Sequence, residues 1–385
     1  MDNDQSRPLS LALVRQKYSP FGGAERFLER AIQHLGQENL ALTVLTRSWP
    51  AAATGQVAIR TCPAKTWGRW HRDWRFSRWV CQTVAREAFD LVQSHERIPC
   101  CDIFRAGDGV HREWLRQRAR VHSPWDHWLT SLSPFHRRVL AAEAALFHSH
   151  RLRAVICNST MVRDEIRTHY QVPAQRLWVI PNGVDGTLFH PGLQAQHRLK
   201  MRESLAIPEA AVVLLLVGSG YFRKGVDHLL KLFPLLPESV WLLVVGNERH
   251  LKRYRHRAAG HPSGERIRWL GPQQDVRPFY GTADLFVLPA LYDPFPNAAL
   301  EAMAAGLPVV VSTKCGTVDL IGQGQGGRVA DALDQNAWLE HLHALLDPAL
   351  RHALGIQARA MAMTLTLEQM TARLLELYRE LLTQP

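Results

Sequence analysis

Short apolar runs alternate with helical stretches along this chain, and that alternation predicts an α/β fold with parallel sheets. The alternation pauses in a polar stretch near residues 185–205 and then restarts, which indicates a second domain. The 385 residues, 46% of them hydrophobic, are enough for two separate cores. We therefore expect two parallel-sheet domains, residues 1–190 and 191–365, and a terminal helix at 366–385 that packs back on the first domain.

In the first half, one helix is expected at 22–35 and six apolar runs predict strands. These strands are Leu9–Val14, Ala41–Thr46, Asp90–Ser94, Asp102–Arg105, Ala154–Cys157 and Arg176–Ile180. Asn158-Ser159-Thr160 is a helix N-cap signal. The last strand leads into the turn-rich segment Pro181-Asn-Gly-Val-Asp185.

In the second half, six further apolar runs predict the strands of a second sheet. They are Ala211–Val217, Trp241–Gly246, Ile267–Leu270, Asp284–Pro289, Pro308–Ser312 and Gly327–Val329. Helical periodicity over Leu367–Leu382 ends the chain.

The net charge of +11 and the isoelectric point near 9.7 favour polyanionic partners such as nucleic acid, anionic lipid or phosphorylated glycan. No apolar run approaches the roughly 18 residues of a membrane span, and the polar start Met1–Arg7 resembles no signal peptide. We therefore expect a cytoplasmic protein. The six cysteines form no CxxC pair and are expected to be free, mostly buried thiols. Neither they nor the histidines have zinc spacing, so no structural metal is expected.

The segment most typical of a binding site is Asp293-Pro-Phe-Pro-Asn297-Ala-Ala-Leu-Glu301. It follows a predicted strand and enters a helix that starts near Asn297, where unpaired N–H groups and a partial positive charge suit a diphosphate. Asp293 lies in the loop and Glu301 about one turn into the helix, so the two acids can reach different parts of one ligand. A capping acid and a surface glutamate are the alternative interpretation.

Two glycine-containing turns accompany this segment. Gly218-Ser-Gly-Tyr-Phe-Arg223-Lys224 follows a predicted strand, where glycines let a phosphate approach the backbone and adjacent cations offset its charge. Gly22 and Gly23 lie in the first strand-to-helix turn and leave the backbone open to a ligand. Ordinary exposed turns are the alternative for both. Neither turn matches GxGxxG or a P-loop, which disfavours NAD and ATP chemistry.

Together these segments resemble the family 4 glycosyltransferases of the GT-B class, in which two Rossmann-like domains with parallel sheets face a central cleft. The resemblance extends over nearly the whole chain. It rests mainly on Gly218 with Arg223-Lys224 and on Asp293 to Glu301, and it is supported by Gly22-Gly23, Asn158-Ser159 and Pro181–Asp185. The segments 17–23 and 223–227 are most similar to the enzymes that add the first glucose to the heptose region of lipopolysaccharide core.

The resemblance implies roles for the matching positions. Arg223 and Lys224 would hold the donor diphosphate and stabilise the leaving group, Glu301 would accept hydrogen bonds from the ribose hydroxyls, and Asp293 would face the sugar near its anomeric centre. The remaining donor contacts would come from Gly22, Gly23, Gly218, Asn297, Ala298 and Ala299.

Two residues depart from the family pattern. Asp293 stands where the family usually has Glu, which sets its carboxylate roughly 1–1.5 Å further back. Pro296 replaces a common glycine and has no N–H to donate. Either change can shift the choice of sugar.

The resemblance also implies the reaction: a hexose moves from UDP-glucose or UDP-N-acetylglucosamine to a lipid-linked, phosphorylated glycan, with retention and without a metal or other cofactor. Preorganised cations and helix N–H groups would stabilise the leaving diphosphate. Another GT-B enzyme, such as a sugar-phosphate synthase or phosphorylase, is the alternative. A basic nucleic-acid-binding protein is more distant, because the chain has no RRM, KH, zinc-finger or helix-turn-helix signature.

The acceptor side is predicted from two residues that follow strands. His95 and Asp108 fall at the carboxyl edge of the first sheet by topology, and the resembling core glucosyltransferases carry an acid at a position like Asp108. We expect both to touch the acceptor and Asp108 to take part in catalysis. Capping or turn roles are the alternative.

Tryptophans and arginines crowd the first domain. Trp67, Trp70 and Trp74 would share one helical face with arginines interleaved, and residues 111–138 carry more of both types. This composition is typical of membrane-surface helices and predicts peripheral binding to the anionic cytoplasmic face of the inner membrane. Core tryptophans with solvated arginines are the alternative.

Overall fold

The computed structural model describes residues 8–17, 40–49, 58–63, 68–123, 125, 130, 132–322 and 324–383. The predictions for Gly22, Gly23 and the helix at 22–35 lie outside these residues, as does the prediction for Trp67.

The chain divides into two compact units. The first comprises Met1–Pro181 and Glu368–Pro385, and the second comprises Asn182–Leu367. The division falls at Pro181, earlier than residue 190, because the Pro-Asn-Gly segment packs on the second unit. The Val184 N–H donates to the Leu365 carbonyl at 2.8 Å, and a Cβ on Gly183 would lie 2.5 Å from the Thr366 carbonyl oxygen.

The described residues of the first unit form a seven-stranded parallel sheet with the order β3-β2-β1-β4-β5-β6-β7. Its strands are β1 Leu9–Val14, β2 Leu40–Thr46, β3 Ala58–Thr61, β4 Leu91–Ser94, β5 Ile103–Arg105, β6 Ala154–Cys157 and β7 Leu177–Val179. The sequence did not predict β3, because this edge strand is largely exposed and has no apolar run.

Helices of the first unit pack on this sheet. They include Gly68–Arg86, His111–Ala119, Pro134–Phe147, Thr160–Tyr170 and the C-terminal helix Leu367–Thr383. The predicted N-cap is confirmed, since the Ser159 hydroxyl accepts from the Val162 N–H at 3.3 Å. The C-terminal helix is joined to the sheet by the Tyr378 hydroxyl, which donates to the Gln93 side chain at 2.7 Å.

The described residues of the second unit form a six-stranded parallel sheet with the order β10-β9-β8-β11-β12-β13. Its strands are β8 Val212–Val217, β9 Val240–Val245, β10 Ile267–Gly271, β11 Leu285–Leu288, β12 Val309–Ser312 and β13 Gly327–Ala330. The surrounding α-helices include Leu193–Ser204, Val226–Leu232, Leu251–Ala259, Arg277–Thr282, Asn297–Ala304, Val318–Ile321, Gln335–Ala344 and Pro348–Ala362. The central strands are apolar throughout because helices cover both faces. Parallel order brings all their carboxyl ends to one edge, where ligands bind in such folds.

Two cysteines correct the expectation of free thiols. Cys81 and Cys100 form a disulfide between the helix Gly68–Arg86 and the loop after β4. Sequence spacing did not reveal this pair, because only the packing of the helix against the sheet brings the two residues together. The other four cysteines are buried and free, as predicted.

None of the helices in the described part of the chain combines the length and the apolar character that a membrane span requires.

Candidate active site

The loop after β8 is shaped by two glycines. A Cβ on Gly218 would lie 2.9 Å from the Lys224 Cε, so the missing side chain makes room for the lysine. Gly225 has a φ of +74°, and a Cβ there would lie 1.7 Å from the Pro289 carbonyl oxygen. The Leu291 N–H also donates to the Arg223 carbonyl at 2.9 Å. The loop is thereby held against the segment that follows β11.

This packing joins two of the predicted motifs. The Lys224 ammonium forms an ion pair with the Asp293 carboxylate, and the two residues are 8% and 5% exposed. The backbone of Asp293 is fixed on both sides. Its N–H donates to the Lys314 carbonyl at 2.8 Å, and its carbonyl accepts from the Gly316 N–H at 2.9 Å. Two opposite charges attract each other more strongly when they are partly buried than when they are in water. Lys224 and Asp293 therefore form one charged unit.

The helix Asn297–Ala304 begins at the same edge of the sheet, where it was predicted to begin. Pro296 occupies the N-cap and gives no side-chain cap. The Asn182 side-chain amide donates to the Asn297 side-chain oxygen at 2.6 Å, so the Pro-Asn-Gly segment supports the helix start. Asn297 and Ala298 are half-buried, whereas Ala299 is fully buried and its N–H donates to the Pro296 carbonyl at 3.0 Å. Asn297 and Ala298 are thus better placed than Ala299 to meet a ligand.

Glu301 lies one turn into this helix and is half-buried. The Tyr280 hydroxyl lies 2.9 Å from the Glu301 Oε2 and 3.1 Å from the Ala298 carbonyl oxygen. Tyr280 is almost completely buried, in the helix Arg277–Thr282. It fixes the orientation of the carboxylate, and sequence reasoning missed it because no motif surrounds it.

Cys315 is the free thiol nearest this charged unit, since its backbone pairs with that of Asp293. Burial raises its pKa to about 12, and the neighbouring Asp293 adds to the effect. The thiol is protonated at neutral pH and is no nucleophile.

At the carboxyl edge of the first sheet, His95 follows β4 directly. Its backbone N–H donates to the Val14 carbonyl at 3.0 Å, and its ring Nε2 lies 3.3 Å from the Gln93 side-chain nitrogen. Burial lowers the pKa of His95 well below its ordinary value, and Arg15 and Arg105 lower it further. A neutral imidazole can accept a hydrogen bond from a hydroxyl of an acceptor or donate one to it.

Asp108 is exposed in the turn after β5. That turn is tied down on both sides of Asp108: the Asn158 side chain donates to the Gly107 carbonyl at 3.3 Å, and Arg97 donates to the Gly109 carbonyl at 3.1 Å. His95 and Asp108 both lie at this edge, as the topology predicts, in the loops that follow the neighbouring strands β4 and β5.

A buried glutamate organises this edge, and sequence reasoning missed it. Glu143, in the helix Pro134–Phe147, is 1% exposed. It accepts from Arg97 Nε at 3.0 Å, from the His111 N–H at 2.8 Å and from the Tyr170 hydroxyl at 2.6 Å. It thereby joins the loop after β4 to the start of the helix that follows Asp108. Only long-range packing reveals this role, because the surrounding sequence is plain helix.

Two tryptophans of the basic segments are exposed to solvent. Trp74 is 50% exposed, with the Arg78 guanidinium 5.5 Å above its ring, and Trp125 is 77% exposed. The backbone of Trp70 lies in the helix Gly68–Arg86, while its side chain is outside the described atoms.

Among the described residues, no group of three or more His, Cys, Asp or Glu side chains is arranged to hold a metal ion.

Two family models match this chain. The model for Glycosyltransferase Family 4 matches residues 21–187, and the model for Glycosyl transferases group 1 matches residues 197–361. Each lies mainly within one of the two parallel-sheet units, and together they span most of the chain. The chain therefore belongs to the GT-B glycosyltransferases with a family 4 and a group 1 domain, and it is a transferase.

Within that class, the chain is 27% identical over 362 residues to the lipopolysaccharide glucosyltransferase WaaG of Escherichia coli K12, covering 92% of this chain and 94% of that protein. The crystal structure of WaaG matches with a TM-score of 0.82 at 25% identity, over 97% of this chain and all of that one. A D-inositol 3-phosphate glycosyltransferase of Xylanimonas cellulosilytica is 30% identical over 63% of this chain and 58% of its own length. The structure of Anabaena HepE with UDP and glucose shares the fold, with a TM-score of 0.73 at 18% identity over 96% of this chain and 98% of that one.

Proposed function

We propose that this protein is a retaining hexosyltransferase that moves glucose or N-acetylglucosamine from its UDP-sugar to the heptose region of a lipid-linked lipopolysaccharide core. The observation that carries the proposal is the junction of Lys224, Asp293 and the start of the helix Asn297–Ala304 at one sheet edge. The similarity to WaaG, a lipopolysaccharide glucosyltransferase by name, supports the acceptor class.

The donor diphosphate is held by Arg223, Lys224 and the helix start. Lys224 is already charged and fixed by Asp293, so it needs little reorganisation when the sugar–phosphate bond breaks and negative charge grows on the β-phosphate. Such preorganised charge is the main source of transition-state stabilisation in group transfer. The helix N-terminus adds a further favourable field.

The ribose is bound by Glu301. An ionised carboxylate has about four lone-pair sites, so Glu301 can accept hydrogen bonds from both ribose hydroxyls while it also accepts from Tyr280.

Transfer exchanges one bond for another at the anomeric carbon. The bond to the β-phosphate oxygen breaks, a bond to the acceptor oxygen forms on the same face, and the acceptor proton passes to the departing phosphate oxygen. Asp293 lies beside the sugar and offsets the positive charge that develops on its ring. No metal is required, since Arg223 and Lys224 supply the positive charge.

The acceptor binds at the carboxyl edge of the first sheet. Asp108 and the neutral His95 orient its reacting hydroxyl, and the phosphates of the glycan meet the basic surface of this unit. Exposed Trp74 and Trp125, with the arginines around them, hold the enzyme on the anionic cytoplasmic face of the inner membrane.

The test is a transfer assay with labelled UDP-glucose, UDP-N-acetylglucosamine and UDP-galactose, a heptose-terminated lipopolysaccharide acceptor, and either EDTA or Mg²⁺. We expect one of the first two sugars to be transferred equally well with EDTA, with its anomeric configuration retained by NMR. Product formation only on a sugar phosphate, or only phosphorolysis, would reject this proposal in favour of a synthase or phosphorylase. Flotation with anionic and neutral liposomes tests the membrane part, which fails if the protein floats with neither.

A further inference from the structure

A recess lies at the edge of the second sheet that is opposite the candidate active site. It has a volume of about 410 Å³, within the range of small-molecule sites. Asp284 and Pro308, which line it, come directly before β11 and β12, so the recess is at the amino edge of the parallel strands. The helix Asn297–Ala304 connects these two strands and runs back across the sheet. It therefore starts at the proposed donor site and ends at the recess.

The ionisable groups that line the recess are mostly basic. Arg351, His352 and Arg359 line the recess together with one acid, Asp284. That acid is already neutralised, because it pairs with Arg198 at 2.8 Å and Arg202 at 2.7 Å. The local charge is thus clearly positive, which favours an anion.

The recess also offers neutral and apolar surface. The side chains of Gln194 and His352 are exposed and form no hydrogen bond with other described residues. Ile356, which also lines the recess, is 60% exposed. A ligand with a charged end and a compact polar body fits this mixture better than a bare ion.

Two lining side chains reach the helix that carries Glu301. Tyr280 forms part of the wall, and its hydroxyl contacts Glu301 and the Ala298 carbonyl. Arg359 donates to the Ala304 carbonyl at the end of the same helix, and it also donates to the Phe189 carbonyl at 2.7 Å. A ligand in the recess would touch the groups that fix this helix at both ends.

We infer that this recess binds a small phosphorylated metabolite of sugar-phosphate size and that the bound metabolite tightens nucleotide binding at Glu301. The coupling part of this inference rests on the proposed function, since it assumes that Glu301 holds the nucleotide. A ligand that holds Tyr280 and Arg359 in place favours the orientation in which the Glu301 carboxylate binds the nucleotide. Because coupling between two sites is reciprocal, bound nucleotide should likewise tighten binding in the recess.

The experiment is isothermal titration of UDP into the full-length protein at rising concentrations of glucose 6-phosphate. We expect the UDP Kd to fall about fivefold or more and then reach a plateau. Glucose and inorganic phosphate, tested separately, separate the contribution of the sugar body from that of the anion. A UDP Kd that rises without limit would mean competition at the donor site and would overturn the inference.

Matched variants localise the effect. His352→Glu and Gln194→Glu place an acid in the recess and should abolish the plateau. Ala353→Glu and Gln196→Glu place the same acid on the same two helices, at exposed positions that do not line the recess, and should leave it intact. An equal response in all four variants, or no response in the wild type, would overturn the inference.

A thermal-shift measurement keeps this inference separate from the proposed function. Glucose 6-phosphate should raise the Tm of the wild type and not of His352→Glu, whether or not UDP binds. If UDP failed to bind while this shift remained, the proposed function would fail and the recess would stand as a ligand site.

Discussion

The two sheets present their carboxyl edges in different ways. In the second unit, the candidate residues hold one another: Lys224 pairs with Asp293, and Asn182 supports Asn297. In the first unit, the candidates are held by residues that were not candidates. Arg97 and the buried Glu143 support the turn of Asp108, and His95 contacts Val14 and Gln93. The site in the second unit can be recognised from sequence motifs, whereas the site in the first unit depends on supporting residues elsewhere in the chain.

On the proposed function, this contrast suits two different tasks, which are donor binding at the second unit and acceptor binding at the first. A nucleotide diphosphate is the same in many reactions, so a fixed arrangement of cations and acids serves it. An acceptor glycan differs from enzyme to enzyme, and a turn held from below by Glu143 allows the exposed residue Asp108 to vary without loss of the scaffold. Loops on a rigid scaffold commonly carry specificity in this way.

The largest expected effect comes from removing Glu143, which supports the carboxyl edge of the first sheet. Glu143→Ala leaves the buried end of Arg97 and the Tyr170 hydroxyl without their acceptor. We expect a loss of about 3–5 kcal/mol in the free energy of unfolding, measured by denaturant titration. Asp164→Ala removes an exposed acid paired with Arg163 and should cost less than about 1 kcal/mol. Similar losses in both variants would show that Glu143 is no special support.

Lys224→Met tests the carboxyl edge of the second sheet, where the candidate residues hold one another in place. It removes the cation and leaves Asp293 as a buried, uncompensated charge. We expect kcat to fall about 10²–10³-fold, the range for loss of a preorganised stabilising group. Lys200→Met, at an exposed position of the same unit, should retain wild-type turnover. A Lys224→Met enzyme with near wild-type kcat would place the diphosphate elsewhere.

Tyr280→Phe sharpens the role of Glu301 without removing the carboxylate. The lost hydroxyl contacts a charged group, and such hydrogen bonds contribute about 1.5–3 kcal/mol, so we expect UDP to bind roughly tenfold more weakly by calorimetry. Tyr254→Phe is the matched control, because its hydroxyl donates to Asp227 at 3.0 Å outside the candidate site. Equal UDP affinity in the two variants would contradict an orienting role for Tyr280.

The smallest expected effect concerns pH at the first edge. Burial, together with the nearby Arg97, lowers the pKa of His111 from 6.5 to about 4. The unfolded chain therefore binds more protons than the folded one between about pH 6.5 and pH 4, so the folded state loses stability as the pH falls through that window. His111→Asn should reduce the drop in Tm between pH 7 and pH 5, whereas His150→Asn, at an exposed position, should not. Parallel Tm curves for wild type and His111→Asn would exclude this source of acid sensitivity.

Much of the fold was predictable from local pattern. The strand Leu9–Val14 and the strand Ala154–Cys157 were predicted to the residue, because short apolar runs bounded by turn residues are typical of buried strands. The helix start at Asn297 was also predictable, since it follows a strand and a proline-rich turn. The edge strand Ala58–Thr61 was not, because an exposed strand needs no apolar run.

The sequence by itself determined that the chain has two parallel-sheet units and that its charged motifs follow the ends of strands, because backbone periodicity and turn residues act over short distances. Only the tertiary structure decided that Lys224 pairs with Asp293, that Tyr280 orients Glu301, that Glu143 supports the turn of Asp108 and that Cys81 meets Cys100. Each of these contacts joins residues far apart in the chain. Their partners are chosen by how strands and helices pack, and no local pattern records that choice.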